Sequence, residues 1–298
     1  MFRILIRTMG GEERKYFPYF LLLPTILVLG VIIAYPLLKA FYMSFYNYSL
    51  IYPEYNFIGF ENYRHIFTTR VFWRVLLNSF IWTFSSMGTH LILGMSIALL
   101  LNESFRGRGI IRSLILIPWV IAGVSAAYTW RWMFQPAGFI NEILQKVGLG
   151  ALAGNWLGSK RAMLSAIITH SWKGFPFWVL MMTSGLQNIP VELYEAAEVD
   201  GANILQQFYF ITLPYLKKII AITAVLDFIW TFNFFALIHI LTGGGPGRTT
   251  MIVPIYIYNI AFKQYSISRA CAIATFLAIF MIAAIFVVMP WIKRRQPV

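Results

Sequence analysis

Apolar residues along this chain fall into six long runs, at about 17–45, 76–101, 111–134, 162–186, 215–241 and 270–292. Each run carries almost no charge and is long enough, as an α-helix, to cross about 30 Å of hydrocarbon. Polar stretches separate them. Tyr46 to Arg74 is aromatic and too charged to stay in lipid, and Pro136 to Lys160 is rich in glycine. Thr242-Gly243-Gly244-Gly245-Pro246-Gly247-Arg248 is a turn cluster that leads into an amphipathic segment ending at Arg269. The runs are continuous rather than alternating, which excludes a transmembrane β-barrel. The pattern predicts an all-α membrane protein with six transmembrane helices. A short segment, 1–16, precedes a transmembrane domain over 17–298, whose core spans cover about 76–292.

Composition agrees with a bilayer as solvent. A soluble domain has about 25% charged residues; this chain has 12%, with 59% hydrophobic and 17% aromatic and a mean hydropathy of +0.69. The formal charge of +13 comes from bases scattered singly beside apolar runs. That is the distribution of the positive-inside rule, not the one-faced cluster of a nucleic-acid binder. Arg3, Arg7, Arg14, Lys15, Arg106, Arg108, Arg112, Lys217, Lys218, Lys293, Arg294 and Arg295 would share one side at high density. The remaining bases are spread over longer loops. Both termini are therefore expected in the cytoplasm, as an even number of spans requires. No small-residue cleavage site follows the basic N-terminus, so the first run reads as an uncleaved anchor. Cys271 is alone, so neither an intrachain disulfide nor a cysteine-rich metal site is expected. Of the histidines, His90, His170 and His239 lie in runs and His65 outside, without metal-ligand spacing.

The loop 187–214, between the fourth and fifth runs and on the same side as the termini, is polar and acidic. Asn188 is placed to cap a short helix with Pro190 near its first turn. Glu192, Glu195 and Glu198 recur every third residue as one negative stripe, which weakens an isolated helix. Ala196 and Ala197 are small enough for another surface to approach closely. Gly201 supplies a helix stop and Asn203 a second cap. The expected form is an acidic, small-sided helix-turn-helix knob; the plain alternative is a solvated loop with incidental acids.

Glu195-Ala196-Ala197, three residues, Gly201, nine residues, and Ile211-Thr212-Leu213-Pro214 match the EAA motif of binding-protein-dependent ABC importers at every fixed position and both spacings. Asn56-Phe57-Ile58-Gly59-Phe60-Glu61-Asn62-Tyr63 and Leu241-Thr242-Gly243-Gly244-Gly245-Pro246-Gly247 resemble two further signatures of carbohydrate-type permeases. The resemblance covers nearly the whole chain. It implies a type I ABC importer permease fold in the prokaryotic inner membrane. It further implies a second permease, two ATP-binding subunits and an extracytoplasmic solute-binding protein as partners. Glu195, Ala196, Ala197, Asp200 and Gly201 would then form the coupling helix that docks into the ATPase. The sequence has no G-x-x-x-x-G-K-[ST], so ATP and Mg are expected on the partner subunits and no cofactor on this chain, which is not itself an enzyme.

Two ionisable residues sit in mid-run, where burial in lipid is costly. Lys173 and Asp227 lie roughly 21 Å and 18 Å from the cytoplasmic ends of their runs at ~1.5 Å per residue. They either pair with each other or face a polar cavity. Thr231 shares the face of Asp227, with Trp230 and Asn233 nearby, while Gly174, Pro176 and Phe177 interrupt the fourth run beside Trp172. Broken backbone at that depth is tolerated where it lines a cavity or is buried in protein. By position relative to the EAA motif, the resemblance implies that Gly174, Phe177, Asp227 and Thr231 contact a sugar, and Trp230, beside Thr231, joins them as an expected contact. Asp227 stands where the maltose-permease subunit has a neutral serine, which leaves the substrate open. The leading reading is an importer subunit for a di- or oligosaccharide. A secondary transporter relaying ions through Lys173 and Asp227 is the alternative, and it leaves the acidic loop unexplained. A lipid-linked glycosyltransferase would need acids at a membrane face, whereas the acids here concentrate in the loop.

Overall fold

The computed structural model describes residues 11–51 and 55–293. Arg3, Arg7, Arg294 and Arg295, used above for orientation, lie outside them, as do positions 1–10 of the N-terminal segment. The described chain divides into two compact units. One runs to Thr68 and takes in Ile260–Ala278; the other comprises Thr69–Asn259 and the chain from Ile279.

In the first unit the first run is one rod: α1 (Gly11–Leu29), a π-helical turn (Gly30–Ala34) and α2 (Tyr35–Met43). Phe20, Val31 and Leu38 are all about two-thirds exposed or more; a helix apolar on every side is built for lipid or another chain. Beyond it, β1 (Tyr46–Asn47) pairs antiparallel with β2 (Asn56–Phe57), Tyr46 opposite Phe57, and α3 (Glu61–Thr68) follows. Here the Asn-Phe-x-Gly-x-x-Asn-Tyr pattern acquires a physical reason. Buried Asn62 donates to the carbonyls of Ser44 (2.8 Å) and Tyr46 (2.9 Å). Tyr63 sits 2.6 Å from the Ser44 hydroxyl, and Gly59 takes φ +59° at the turn.

The second unit is organised around α4 (Arg70–Leu100). The third run does not form one helix. It gives α5 (Arg108–Val120) and α6 (Gly123–Met133), bent by 91°. Ile121 and Ala122 adopt extended ψ values of 131° and 136°, and Pro118 already removes one helical N–H from the last turn of α5. The glycine-rich loop carries α7 (Phe139–Lys146). Buried Asn141 orders that loop by accepting from Gly154 N–H and the Trp156 indole, both at 2.9 Å. On α7, Lys146 lies 2.7 Å from Glu142 and its hydrogen bond holds that carboxyl below its ordinary value.

α8 (Ala162–Leu186) packs along α4. A Cβ on Gly94 would lie 2.4 Å from the Trp178 Cβ, so glycine is what lets the two backbones approach. After α8 come α9 (Val191–Val199) and α10 (Ile204–Gln207), then a π-helical turn (Phe208–Thr212) and α11 (Leu213–Phe232). The fifth run, expected at 215–241, is thus shifted and divided. The long helix is Ile204–Phe232, 29 residues, and α12 (Phe235–Leu241) is separate. The Asn233 side chain donates to the Ile229 carbonyl at 2.8 Å, competing with the helical ladder where the helix stops. The Thr-Gly-Gly-Gly-Pro turn is pinned by Asn78, which donates to the carbonyls of Arg248 (3.0 Å) and Met251 (3.2 Å). α13 (Val253–Tyr258) and α14 (Ile267–Lys293) complete the chain.

By length and apolarity four described helices can cross a membrane: Tyr19–Met43, Arg70–Leu100, Ile204–Phe232 and Ile267–Val287; the bent pair α5 and α6 makes a fifth. α8 is long enough at 25 residues, but Thr169, His170 and Lys173 lower its apolarity. Two buried clusters fill the second unit. Trp82, Phe134, Leu237 and Ile252 belong to one; Met95, Trp178, Met182, Leu186 and Leu216 belong to the other.

Candidate functional site

α4, α8 and α11 meet around a buried carboxyl. Asp227, on α11, is 5% exposed. Its Oδ1 accepts from the Thr231 hydroxyl (2.9 Å), a contact favoured by their spacing of one helical turn. Its Oδ2 accepts from the Trp178 indole (2.8 Å) and lies 2.9 Å from His90 Nδ1. The other ring nitrogen of His90 lies 3.1 Å from the His170 carbonyl. Both nitrogens therefore face oxygens. A buried carboxyl whose oxygens are both bonded is the arrangement that burial tolerates.

Gly174 completes this arrangement. A Cβ there would fall 2.3 Å from Cε1 and Nε2 of His90, so the glycine makes room for the ring. Gly174→Ala is expected to displace His90 and cost about 1–3 kcal/mol, the usual range for overpacking. Thermal unfolding of the purified protein in detergent checks it, and an unchanged midpoint would count against the contact.

Beside the buried pair opens a cavity of about 420 Å³. Gly174, Phe177, Asp227, Trp230 and Thr231, singled out in the sequence, all line it. Its walls are aromatic: Phe177 stands 5.0 Å from Trp230 and stacks on Trp119 at 6.1 Å and 22°. Trp230 is half exposed, whereas Thr231 is fully buried and bonded to Asp227. Trp172 turns instead to Trp130, at 5.7 Å.

Lys173 and Asp227 do not pair. The Lys173 ammonium donates to the carbonyls of Ile121, Trp119 (3.2 Å) and Pro118 (3.5 Å), where α5 ends. The partner of Asp227 is His90, which sequence reasoning did not connect to it. Trp119 and Phe234 were also missed as cavity walls, since nothing in their local sequence distinguishes them from packing aromatics.

The acidic loop folds as a knob. Pro190 is the N-cap residue of α9; Asn188, expected as the cap, instead donates to the Ser184 carbonyl at 2.8 Å. With Pro190 at the N-cap no side chain caps the helix; the Leu193 N–H donates to the Pro190 carbonyl at 3.3 Å. Gly201 ends the helix at φ +79°, and Asn203 forms a capping box with Gln206 ahead of α10. Glu192, Glu195, Ala196, Glu198, Asp200 and Gly201 are exposed, and Ala197 is half-buried. Val199 and Ile204 stand beside them at 89% and 83% exposure. On the other face Leu193 and Tyr194 pack on the cluster of Met182, Leu186 and Leu216, and the Tyr194 hydroxyl lies 2.8 Å from that of Thr212. The knob is thereby fastened to α8 and to the base of α11, the helix that carries Asp227.

Comparison with known proteins agrees along the chain. Residues 67–296 match the family model described as binding-protein-dependent transport system inner membrane component. The trehalose/maltose transport system permease protein MalF of Thermococcus litoralis is 35% identical over 271 residues, 90% of this chain and 91% of that protein. The sulfoquinovosyl glycerol transport system permease protein SmoG of Agrobacterium fabrum is 34% identical over 272 residues, 89% and 87% of the two chains. Among solved structures, a chain of a bacterial ABC transporter involved in import of the acidic polysaccharide alginate is similar in fold. Its TM-score is 0.82 at 23% identity, over 96% of this chain and 98% of that one.

Proposed function

This chain belongs to the family of binding-protein-dependent transport system inner membrane components, and we propose that it is the sugar-path subunit of an ATP-driven importer. With a second permease it forms the route for a carbohydrate, a di- or oligosaccharide, handed over by an extracytoplasmic binding protein. The observation that carries this reading is the aromatic cavity of about 420 Å³ beside Asp227. Rings stack on the apolar faces of sugars, while Asn233 adds a polar group to the lining. Gly174, Phe177, Asp227, Trp230 and Thr231 are the proposed solute-contact set. Asp227 is the inner anchor of that wall, because both its oxygens are already bonded within the chain.

The membrane topology follows from the same reading. α8 and the bent α5–α6 pair join the four apolar helices to make six spans, with both termini and the knob in the cytoplasm. Two ATPase subunits bind ATP and Mg, and one of them grips Glu195, Ala196, Ala197, Asp200 and Gly201. The exposed Val199 and Ile204 beside that acidic stripe suit a surface that becomes covered. ATP must favour one state of the assembly over the other for the knob to drive a change of access.

Secondary transport through a Lys173–Asp227 relay draws less support, since Lys173 is engaged by the end of α5 and Asp227 by His90. Uptake of labelled carbohydrate into vesicles holding the assembled transporter tests the proposal: it is expected to require internal ATP and the binding protein, and uptake that required neither would overturn it.

A further inference from the structure

Neither side of the break between α5 and α6 carries a side-chain cap from its own residues. The carbonyls that end α5 would be left without partners at the negative end of the helix dipole. A residue from another helix meets them. Lys173, on α8, donates to the carbonyls of Pro118, Trp119 and Ile121. These contacts use the three donors of an ammonium group, so none is left for a solute in this conformation. The start of α6 closes over the same point: a Cβ on Gly123 would lie 3.1 Å from the Phe234 ring and 3.8 Å from Lys173 Cε.

One of the gripped carbonyls belongs to Trp119, whose indole stacks on Phe177 across the cavity. We infer that Lys173 is a positioning residue: by capping the broken end of α5 it holds Trp119 against Phe177 and so sets the width of the aromatic slot that receives the solute. The inference rests on the cavity being the solute path. It gives the mid-span lysine a role other than ion relay or direct solute contact.

Two readouts on the assembled transporter test it. The first is the emission and acrylamide quenching of Trp119, taken as the difference between each protein and its Trp119→Phe partner. Lys173→Met keeps the length of the side chain and removes its donors; it is expected to expose Trp119 to quencher, and Lys173→Arg to restore most of the protection. The second is equilibrium binding of tritiated maltose and trehalose. Lys173→Met is expected to weaken binding about tenfold or more, the scale of lost charge-assisted hydrogen bonds. In a Trp119→Phe background it should add less than about twofold, because the lysine acts through that ring.

Unchanged Trp119 quenching in Lys173→Met would overturn the inference, as would an equal loss of affinity with and without Trp119. If Lys173→Met does not assemble, Lys173→Gln, which keeps a neutral donor, is read in the same two ways and by the same criteria. If neither sugar binds the wild type, the quenching arm decides alone. If Trp119→Phe and Phe177→Ala leave sugar binding intact while Lys173→Met still exposes Trp119, the solute-path reading fails and the positioning role stands.

Discussion

Asp227→Ala is expected to be the most damaging single substitution in this chain. It removes one member of a buried pair and leaves His90 facing an empty space, with the Trp178 indole and the Thr231 hydroxyl also deprived of their acceptor. Breaking a buried pair in this way costs about 3–5 kcal/mol, a large fraction of what holds a typical domain together. The purified protein should unfold at a markedly lower temperature, and transport should be lost with it. Asp227→Asn keeps the size and one acceptor and should cost less. Because the groups act together, His90→Ala combined with Asp227→Ala should cost less than the sum of the two alone. Strict additivity, or a wild-type unfolding midpoint for Asp227→Ala, would show that the pair does not join these helices.

Glu195→Lys is expected to do the opposite: little to the fold and much to assembly. Glu195 is exposed and forms no ion pair among the described residues, so the variant should insert and unfold as the wild type does. The acidic stripe calls for a basic surface on the ATPase, and placing a lysine against such a surface costs several kcal/mol. Retention of the ATPase subunits on the purified permease should then fall by more than about a hundredfold. Retention at the wild-type level would remove Glu195 from the docking surface. Together the two variants separate a residue that holds the chain's interior from one that serves its partner.

Much of this was legible in the sequence, for identifiable reasons. Long apolar runs determine where helices lie because backbone groups in lipid must be satisfied within the helix. α4, α8 and α14 accordingly fall close to their expected positions. The knob was readable because its signals are local: Gly201 at positive φ and Asn203 in a capping box are properties of a few consecutive residues. Gly174, Phe177, Asp227, Trp230 and Thr231 line one cavity in the structure, and each stood out in sequence through a local departure from a plain apolar run.

What could not be read depends on contacts between distant residues. The 91° bend follows Pro118, yet Pro176 lies within α8 without dividing it, so proline alone does not announce a break. Capping by Lys173 leaves no sequence signature because its acceptors are backbone carbonyls, which every residue possesses. The pairing of His90 with Asp227 spans 137 positions. Depth is the one sequence signal that links them: His90 lies roughly 16 Å from the end of its run at ~1.5 Å per residue, near the level of Asp227. Asn233 misled in a related way, since its helix-ending contact with Ile229 looks in sequence like one polar residue within a long apolar run.

The measurement that bears most directly on the account is carbohydrate uptake into proteoliposomes containing this chain, its partner permease and two ATPase subunits, with the binding protein outside. The account predicts accumulation of labelled sugar only when ATP is enclosed and the binding protein is present, and its loss in Glu195→Lys. Accumulation by this chain alone, driven by an ion gradient and unaffected by Glu195→Lys, would contradict it.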